Sequence, residues 1–356
     1  MLKHILKKTG YAFITLLGVI TVIFFLFSVL PGDPAQMMLG QNESQEQLQL
    51  QKEKYGFDKS ISQQYLFYIN DLSPLSWHSS NPSDFTYFDQ ETYDGIKILP
   101  FFGNGNLHLK TPYLRTSFQR QDQKVLDIIK QTLPNTAVLA ISSIFIALVI
   151  GIFLGIISAL KKDSWIDKCI QVLSTLGMSV PSFFSAILAA WLFGYVLKEY
   201  TGLNMTGNLY ELDDFGEQKE LHLKNLILPA FVLGIRPLAV VIQLMRSSLL
   251  EVFQQDYIRT AKAKGLNTYS IITQHSLKNA LNPVVTAISG WFASMLAGAV
   301  FVEYIFGWNG LGKEIVDALN TLDLPIIMGA VLTIAILFII INILVDLIYK
   351  ILDPRI

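Results

Sequence analysis

AVLAISSIFIALVIGIFLGIISAL, residues Ala137–Leu160, contains no charged side chain. A helix needs about 20 consecutive apolar residues to cross the hydrocarbon core of a bilayer. Backbone polar groups in lipid must be hydrogen-bonded within their own segment, which a helix achieves. The run therefore predicts a transmembrane helix. The whole chain agrees, because only 15% of its residues are charged, against about 25% in a soluble domain.

Five further apolar runs have the same character. Pro181 interrupts one of them, and Arg236 is a charge inside another. The runs are Tyr11–Leu30, Cys169–Leu197, Leu226–Met245, Pro283–Val302 and Leu324–Val345. Together with residues 137–160 they predict an all-α polytopic membrane protein with six transmembrane helices.

Positive charge predicts the orientation, since short cytoplasmic loops carry an excess of Lys and Arg. With the amino terminus inside, the short outer loops hold only Lys198, Lys219, Lys224 and Lys313. Both termini and the 246–282 loop are therefore expected in the cytoplasm. The chain divides into residues 1–30 with the first helix, a large extracytoplasmic loop or subdomain at 31–133, and a five-helix core at 134–356.

The first apolar run is expected to stay as an uncleaved anchor. It is long for a signal peptide, and Pro31-Gly32-Asp33-Pro34 after it is not a small-residue cleavage site. The outer segment that follows contains an aromatic-rich part, Ser73–Lys110. Its aromatic side chains either pack locally or line a ligand surface, and the sequence leaves both open. They are Trp77, Phe85, Tyr87, Phe88, Tyr93, Phe101 and Phe102.

The residues give no support for an enzyme or a metal protein. The sequence has no phosphate-binding loop of the Gly-x-x-x-x-Gly-Lys-Ser/Thr type, and its five histidines do not stand at metal-ligand spacing. The single cysteine, Cys169, excludes an internal disulfide framework. A net charge of -1 provides no general attraction for nucleic acid. We therefore assign no catalytic residue, no metal ligand and no cofactor to this chain.

The polar stretch between the fourth and fifth runs, Asp256 to Gly265, predicts a short helix. Phe253, Tyr257 and Ala261 recur every four residues, and Gly265 provides a C-terminal stop. Asn267 can cap a second helix from Ser270 to Ala280. Two short helices with a glycine corner are typical of a docking element for another protein. The alternative is a solvated amphipathic loop whose lysines meet anionic membrane lipid.

Arg236 and Pro181 are candidates for a translocation pathway. Charged residues inside membrane spans are rare and commonly mark a substrate route, so Arg236 could contact a substrate carboxylate. Alternatively its side chain extends to the outer interface. Pro181 can bend its span around a pathway, although proline is common in membrane helices.

Several motifs in this order resemble the permeases of binding-protein-dependent ABC importers, in the branch for dipeptides, oligopeptides and nickel. The cytoplasmic stretch from Leu244 to Leu266 resembles the EAA motif region of that family, with Thr260-Ala261-Lys262 where the motif opens Glu-Ala-Ala. The other matching segments are Leu30–Ala35, Leu133–Thr136, Val302–Phe306, Gly310–Gly312, Asp323–Pro325, Asp346–Tyr349 and Asp353–Arg355. The resemblance covers the chain except about residues 73–110, where the outer insertion is longer than the family pattern.

The resemblance implies an inner-membrane importer subunit of a bacterial cell that catalyses nothing itself. A second, different permease chain would complete the pathway, and two ATPase subunits would bind ATP and Mg²⁺. An extracytoplasmic binding protein would deliver the substrate. The coupling helix that seats in the ATPase would be formed by Arg259, Thr260, Ala261, Lys262, Ala263, Lys264, Gly265 and Leu266.

The implied substrate is a di- or oligopeptide, and nickel or another small solute is the alternative. Two other classes of protein are also considered. A stand-alone secondary transporter would work without ATPases, but the central parts of the spans hold no acidic residue for proton coupling. A membrane enzyme or sensor would need a catalytic constellation in residues 31–133, and the sequence suggests none.

Overall fold

The computed structural model describes residues 2–28, 35–36, 44–82, 84–101, 105–120, 123–213 and 215–352. Most of them are helical, as the apolar runs predict. The motif residues Leu30 to Pro34 and Asp353 to Arg355, together with Phe102, lie outside the described residues. The chain divides into two compact units, Met1–Gln131 with Asp317–Ile336 and Thr132–Val316 with Leu337–Ile356.

The first unit begins with the long apolar helix α1 (Leu2–Ser28), followed by α2 (Gln45–Tyr55) and α3 (Ile61–Leu72). Ser44 and Ser60 start α2 and α3 with a capping box, in which each serine and the glutamine three residues later satisfy one another's backbone N–H groups. A buried cluster in this unit contains Phe24 of α1, Tyr68 and Leu72 of α3, and Leu332.

An antiparallel sheet in the order β1-β3-β2 follows. Its strands are β1 (Leu75–Ser79), β2 (Gly95–Phe101) and β3 (Gly105–Lys110). His78 is fully buried, with Nδ1 3.2 Å from the Thr86 carbonyl and Nε2 2.9 Å from the Ser76 hydroxyl. Because a carbonyl only accepts, Nδ1 donates, and in the neutral ring Nε2 then accepts from the Ser76 hydroxyl. Burial lowers the pKa of His78 to about 4.

The remaining elements are mostly helices. They are α4 (Val125–Leu160), α5 (Trp165–Ser179), α6 (Ser182–Trp191) with the π-helical turn Leu192–Val196, α7 (Lys198–Thr201), the hairpin strands β4 (Tyr210–Leu212) and β5 (Lys219–Leu221), α8 (Lys224–Val252), α9 (Asp256–Ala263), α10 (Thr268–Ser270) with the π-helical segment Ile271–Ser276, α11 (Leu277–Gly298), α12 (Val300–Phe306), α13 (Leu311–Thr321) and α14 (Leu324–Leu352).

The six expected membrane spans are not confirmed. Among the described residues four helices are long and apolar enough to cross a membrane, at Gly10–Ser28, Val125–Leu160, Lys224–Val252 and Leu324–Val345. The pair Trp165–Ser179 and Ser182–Val196, bent by 108°, would make five if it counts as one span. The predicted run 283–302 falls on α11 and α12, where Thr286, Ser289 and Ser294 are its polar members.

Helices α4 and α8 pack closely because α4 presents glycines to its neighbour. A Cβ atom added at Gly151 would lie 2.7 Å from Val241, and one at Gly155 would lie 2.6 Å from Met245. Glycines four residues apart let two membrane helices approach until their backbones nearly touch. This packing holds α8, which carries Arg236 and leads into the polar loop, firmly against α4.

Candidate functional site

The predicted docking element is a short helix with a glycine corner. Helix α9 starts at Asp256 and ends at Ala263, and Gly265 has the left-handed φ of +78° that the predicted stop requires. The Asn267 side chain accepts a hydrogen bond of 2.8 Å from the Ser270 backbone N–H, so the predicted cap is confirmed as well.

Two local expectations about this element are wrong. Phe253 follows the end of α8 and is separated from α9 by a turn, so its spacing from Tyr257 does not reflect one helix. The second helix does not stop at Ala280, because the chain runs through a π-helical segment directly into α11. A continuous apolar face after Ile271 favours the longer helix.

The corner exposes most of the residues expected to contact an ATPase. Seven of the eight are exposed, namely Arg259, Thr260, Lys262, Ala263, Lys264, Gly265 and Leu266. Ala261 is instead 5% exposed and packs with Ile258 and Ile271 in the core of this chain. The Asn279 amide also donates to the Tyr257 hydroxyl at 2.8 Å. The element is therefore a rigid projection whose outer face is basic.

A buried ion pair holds the helices from which this element projects. Arg246 near the end of α8 donates to Asp167 of α5 through two parallel bonds of 2.7 and 2.6 Å. The Asp167 carboxylate also accepts from the Ser158 hydroxyl and, at 2.9 Å, from the Asp163 backbone N–H. We call Asp167, Arg246, Ser158 and Asp163 the clamp. It connects α8 with α5 and with the turn after α4.

The two candidate pathway residues lie close together. The break between α5 and α6 falls at Val180 and Pro181, and the Arg236 guanidinium lies 3.4 Å from the Val180 carbonyl. Arg236 is the one charged residue between Lys224 and Arg246 on α8. A charge at the centre of a membrane helix costs about 2.5–3.5 kcal/mol on insertion scales. Such a position is retained when a function needs it.

Three separate motifs of the sequence, Leu133–Thr136, Val302–Phe306 and Gly310–Gly312, meet in one buried cluster. The Trp308 indole donates to the Asn135 carbonyl at 3.1 Å, and the Asn135 amide donates to the Asn309 carbonyl at 2.7 Å. The Leu311 backbone N–H donates to the Thr136 hydroxyl at 2.8 Å. These bonds join the start of α4 to the start of α13, and the sequence did not indicate that Trp308 lies at their centre.

The Glu303 side chain leaves no room for a larger residue at two glycines of this cluster, Gly310 and Gly312. The side chain is fully buried, and one carboxylate oxygen accepts from the backbone N–H groups of Gly312 and Lys313 at 2.7 and 3.2 Å. A Cβ atom at Gly310 or Gly312 would collide with the Glu303 carboxylate. The Glu303 carboxyl group thus sits at the N-terminus of α13 and accepts from its first backbone N–H groups.

An open cleft of about 1000 Å³ lies in the first unit, among the aromatic residues of the outer segment. Trp77, Phe85 and Tyr87 line it. Phe88 instead packs inside, with its ring stacked on His108 at 4.0 Å between centroids. Local packing is therefore confirmed for Phe88, whereas a ligand surface formed by the cleft residues stays a prediction.

Comparison with known proteins identifies the family. Residues 151–356 match the family described as binding-protein-dependent transport system inner membrane component, and residues 1–76 match the N-terminal family of such components. The dipeptide transport system permease protein DppB of Haemophilus influenzae is 35% identical and that of Bacillus subtilis 32% identical, each over 100% of this chain. Those alignments cover 99% and 98% of the relatives.

The two family matches leave residues 77–150 between them, so the insertion expected at about residues 73–110 stays a prediction. A putative peptide permease protein of Brucella suis aligns over 358 residues at 34% identity, covering 99% of its own length.

A solved structure supports the fold. A chain of the inward-facing MetNI methionine ABC transporter matches 64% of this chain and 97% of its own length, with a TM-score of 0.50 and 15% identity. The likeness at that identity concerns the fold alone. Taken with the family matches over most of its length, it places the chain as a multi-pass membrane protein that belongs to the inner membrane components of binding-protein-dependent transport systems.

Proposed function

We propose that this chain is the permease subunit of an ATP-driven importer of di- or oligopeptides. The observation that carries the proposal is similarity along the entire chain to proteins named as dipeptide and peptide permeases. The chain forms half of the translocation pathway, and a different permease chain forms the other half. Nickel or another small solute in place of a peptide is the alternative that a substrate test would reveal.

The exposed corner of α9 is the coupling element in this proposal. Its basic residues Arg259, Lys262 and Lys264 meet acidic groups at the rim of a groove on an ATPase subunit, where charges tune recognition. Ala263 and Gly265 permit close approach of the backbone. Ala261 does not take part directly, because it is buried in this chain. The two ATPase subunits bind ATP and Mg²⁺, and this chain hydrolyses nothing.

Alternating access follows from the coupling. ATP binding closes the ATPase pair and moves the corner, and the spans open outward to receive a peptide from an extracytoplasmic binding protein. Because ATP favours one conformation, its binding and hydrolysis shift the equilibrium between the two. The clamp carries the movement of the corner to α5, since Arg246 lies at the end of α8 just before the corner. The chain sits in the bacterial inner membrane with both termini in the cytoplasm.

Site-directed labelling tests the coupling element and the orientation together. A chain with Cys169→Ala receives a single new cysteine at Ala263 or, as a control, at Lys219 of β5, and both positions are exposed. A membrane-impermeant maleimide should label the cysteine at position 263 only from the cytoplasmic side. ATPase subunits should protect it, while position 219 should react only from outside with or without them. Labelling at position 263 that ATPase subunits do not change would refute the docking role.

A further inference from the structure

A small cavity lies where the broken helix pair meets α8. Its volume is about 80 Å³, several times the roughly 10–15 Å³ that one water molecule needs. The lining includes Arg236 of α8, Ser182 and Ser185 of α6, and Trp291 and Ser294 of α11. None of its lining residues is acidic. A space of this size accommodates a hydrated carboxylate and not a whole peptide.

Arg236 has a charge that the described part of the chain does not neutralise. No carboxylate of a described residue lies within ion-pairing distance of it, and its one hydrogen bond to the described residues, donated to the Val180 carbonyl, is long at 3.4 Å. At 1.5 Å per residue, Arg236 lies about 18 Å along α8 from Lys224 and about 24 Å from Val252. Arg236 therefore lies near the middle of α8, where it is an exposed residue that lines the cavity.

The serine hydroxyls around the cavity are unbonded, unlike several other serines in the helices. The hydroxyls of Ser182, Ser185 and Ser294 have no hydrogen-bond partner among the described residues. Other helical serines, such as Ser143 and Ser179, donate to the carbonyl four residues earlier at 2.7 and 2.8 Å. The three cavity hydroxyls are therefore free to donate to a ligand.

The helix break adds donors on the same side. Helix α6 begins directly after Pro181, and no side chain caps it. The first backbone N–H groups of a helix have no acceptor within the helix. Discontinuous membrane helices present such termini to anionic groups of transported solutes. The N-terminus of α6 therefore adds backbone donors to a site that the cavity and Arg236 define.

We propose that this cavity binds the C-terminal carboxylate of the transported peptide, with Arg236 as the ionic partner and Ser182, Ser185 and Ser294 as hydroxyl donors. The inference rests on the proposed peptide function. A guanidinium binds a carboxylate through two parallel bonds, which a lysine cannot reproduce. The absence of acid from the lining selects the carboxylate end of a peptide over its ammonium end.

The test compares a free-acid tripeptide with its C-terminal amide. The first readout is the shift in melting temperature that each peptide causes in the purified complex of both permease chains and both ATPases, without the binding protein. The second is ATP-dependent uptake into proteoliposomes with the binding protein. Each is measured for the wild type, Arg236→Gln, Arg236→Lys, Ser185→Ala, and the control Ser179→Ala, whose serine does not line the cavity.

The free acid, and not the amide, should stabilise the wild-type complex. Arg236→Gln should abolish that shift and reduce free-acid uptake about 10- to 100-fold, the range for losing a charged hydrogen bond, while amide uptake stays the same. Arg236→Lys should retain part of the uptake at a raised KM. Ser185→Ala should cost a few-fold, and Ser179→Ala nothing.

Three results would overturn the carboxylate site. The free acid and the amide could shift the melting temperature of the wild-type complex equally, or neither could shift it. Arg236→Gln could lower the uptake of both peptides equally, as expected if Arg236 held a lipid phosphate or only supported the fold. Arg236→Gln could also leave the uptake of both peptides unchanged. Failure of the peptide function itself is distinguishable, because the wild type would then import neither peptide.

Discussion

Asp167→Asn tests whether the clamp supports the helices around the coupling corner. The substitution keeps the shape of the side chain and removes its charge. In the protein Arg246 donates twice to this carboxylate, at 2.7 and 2.6 Å, and the two side chains are 24% and 3% exposed. Breaking a buried pair by removing one partner costs about 3–5 kcal/mol. The partial exposure of Arg246 favours about 3 kcal/mol, the lower end.

The assay is thermal unfolding of the purified complex, followed by tryptophan fluorescence. At about 2 °C per kcal/mol for a chain of this size, the loss corresponds to a melting temperature about 6 °C lower. Asp256→Asn is the matched control, since the Asp256–Arg259 pair is long at 3.4 Å and exposed on both sides. Exposed pairs contribute about 0–1 kcal/mol, so the melting temperature of the Asp256→Asn control should barely change.

The double variant Asp167→Asn with Arg246→Met distinguishes the cost of an unpaired charge from other effects of the substitution. It should be more stable than Asp167→Asn alone, because no charge is then left without its partner. Equal melting temperatures for Asp167→Asn and Asp256→Asn would refute the reasoning, since they would mean that the buried clamp contributes no more than a surface pair.

Three further outcomes are expected. Gly265→Val should cost about 1–2 kcal/mol at the corner, where φ is +78°, and should uncouple ATP hydrolysis from uptake. Gly265→Asn is the control, because asparagine tolerates that conformation, and it should transport normally. Normal uptake by the valine variant would contradict the coupling role. The pKa of His78 in the folded chain lies below its unfolded value, so the unfolded chain binds the extra proton and stability falls as pH drops from about 6.5 towards 4. Hydrogen exchange of residues 75–110 in the intact chain should show about 2 kcal/mol of stability lost between pH 7.5 and 5. A His78→Gln variant with the same pH dependence would exclude His78 as its source. Trp308→Ala should cost about 3–5 kcal/mol and lower the yield of folded complex, whereas Trp308→Phe should lose mainly the bond to Asn135, as melting curves would reveal.

The sequence predicted the features that depend on neighbouring residues. Gly265 and Asn267 were found because a left-handed turn and a helix cap are determined within a few positions along the chain. Pro181 likewise marked the end of α5, since proline cannot continue a helix without losing a hydrogen bond. The 108° bend at that break was not foreseen, because packing against other helices determines such an angle.

Contacts between distant residues could not be predicted in the same way. Trp308 and Asn135 are separated by 173 positions, and nothing local to either indicates the other. Arg246 was noted only as the first residue of the 246–282 loop, although it forms a largely buried ion pair with Asp167. Ala261 was expected on the docking face because alanine is small, but small residues suit a buried face equally well. Solvent exposure, which decided between the two, is a tertiary property.

The central claim is that ATP hydrolysis on partner chains drives uptake through this permease. The most direct measurement is uptake of a labelled peptide into proteoliposomes that contain this chain, its partner permease and the two ATPases. The account predicts uptake that requires both ATP and the binding protein and that ionophores do not abolish. Uptake by this chain alone, driven by an ion gradient without the ATPases, would contradict the account and identify a secondary transporter.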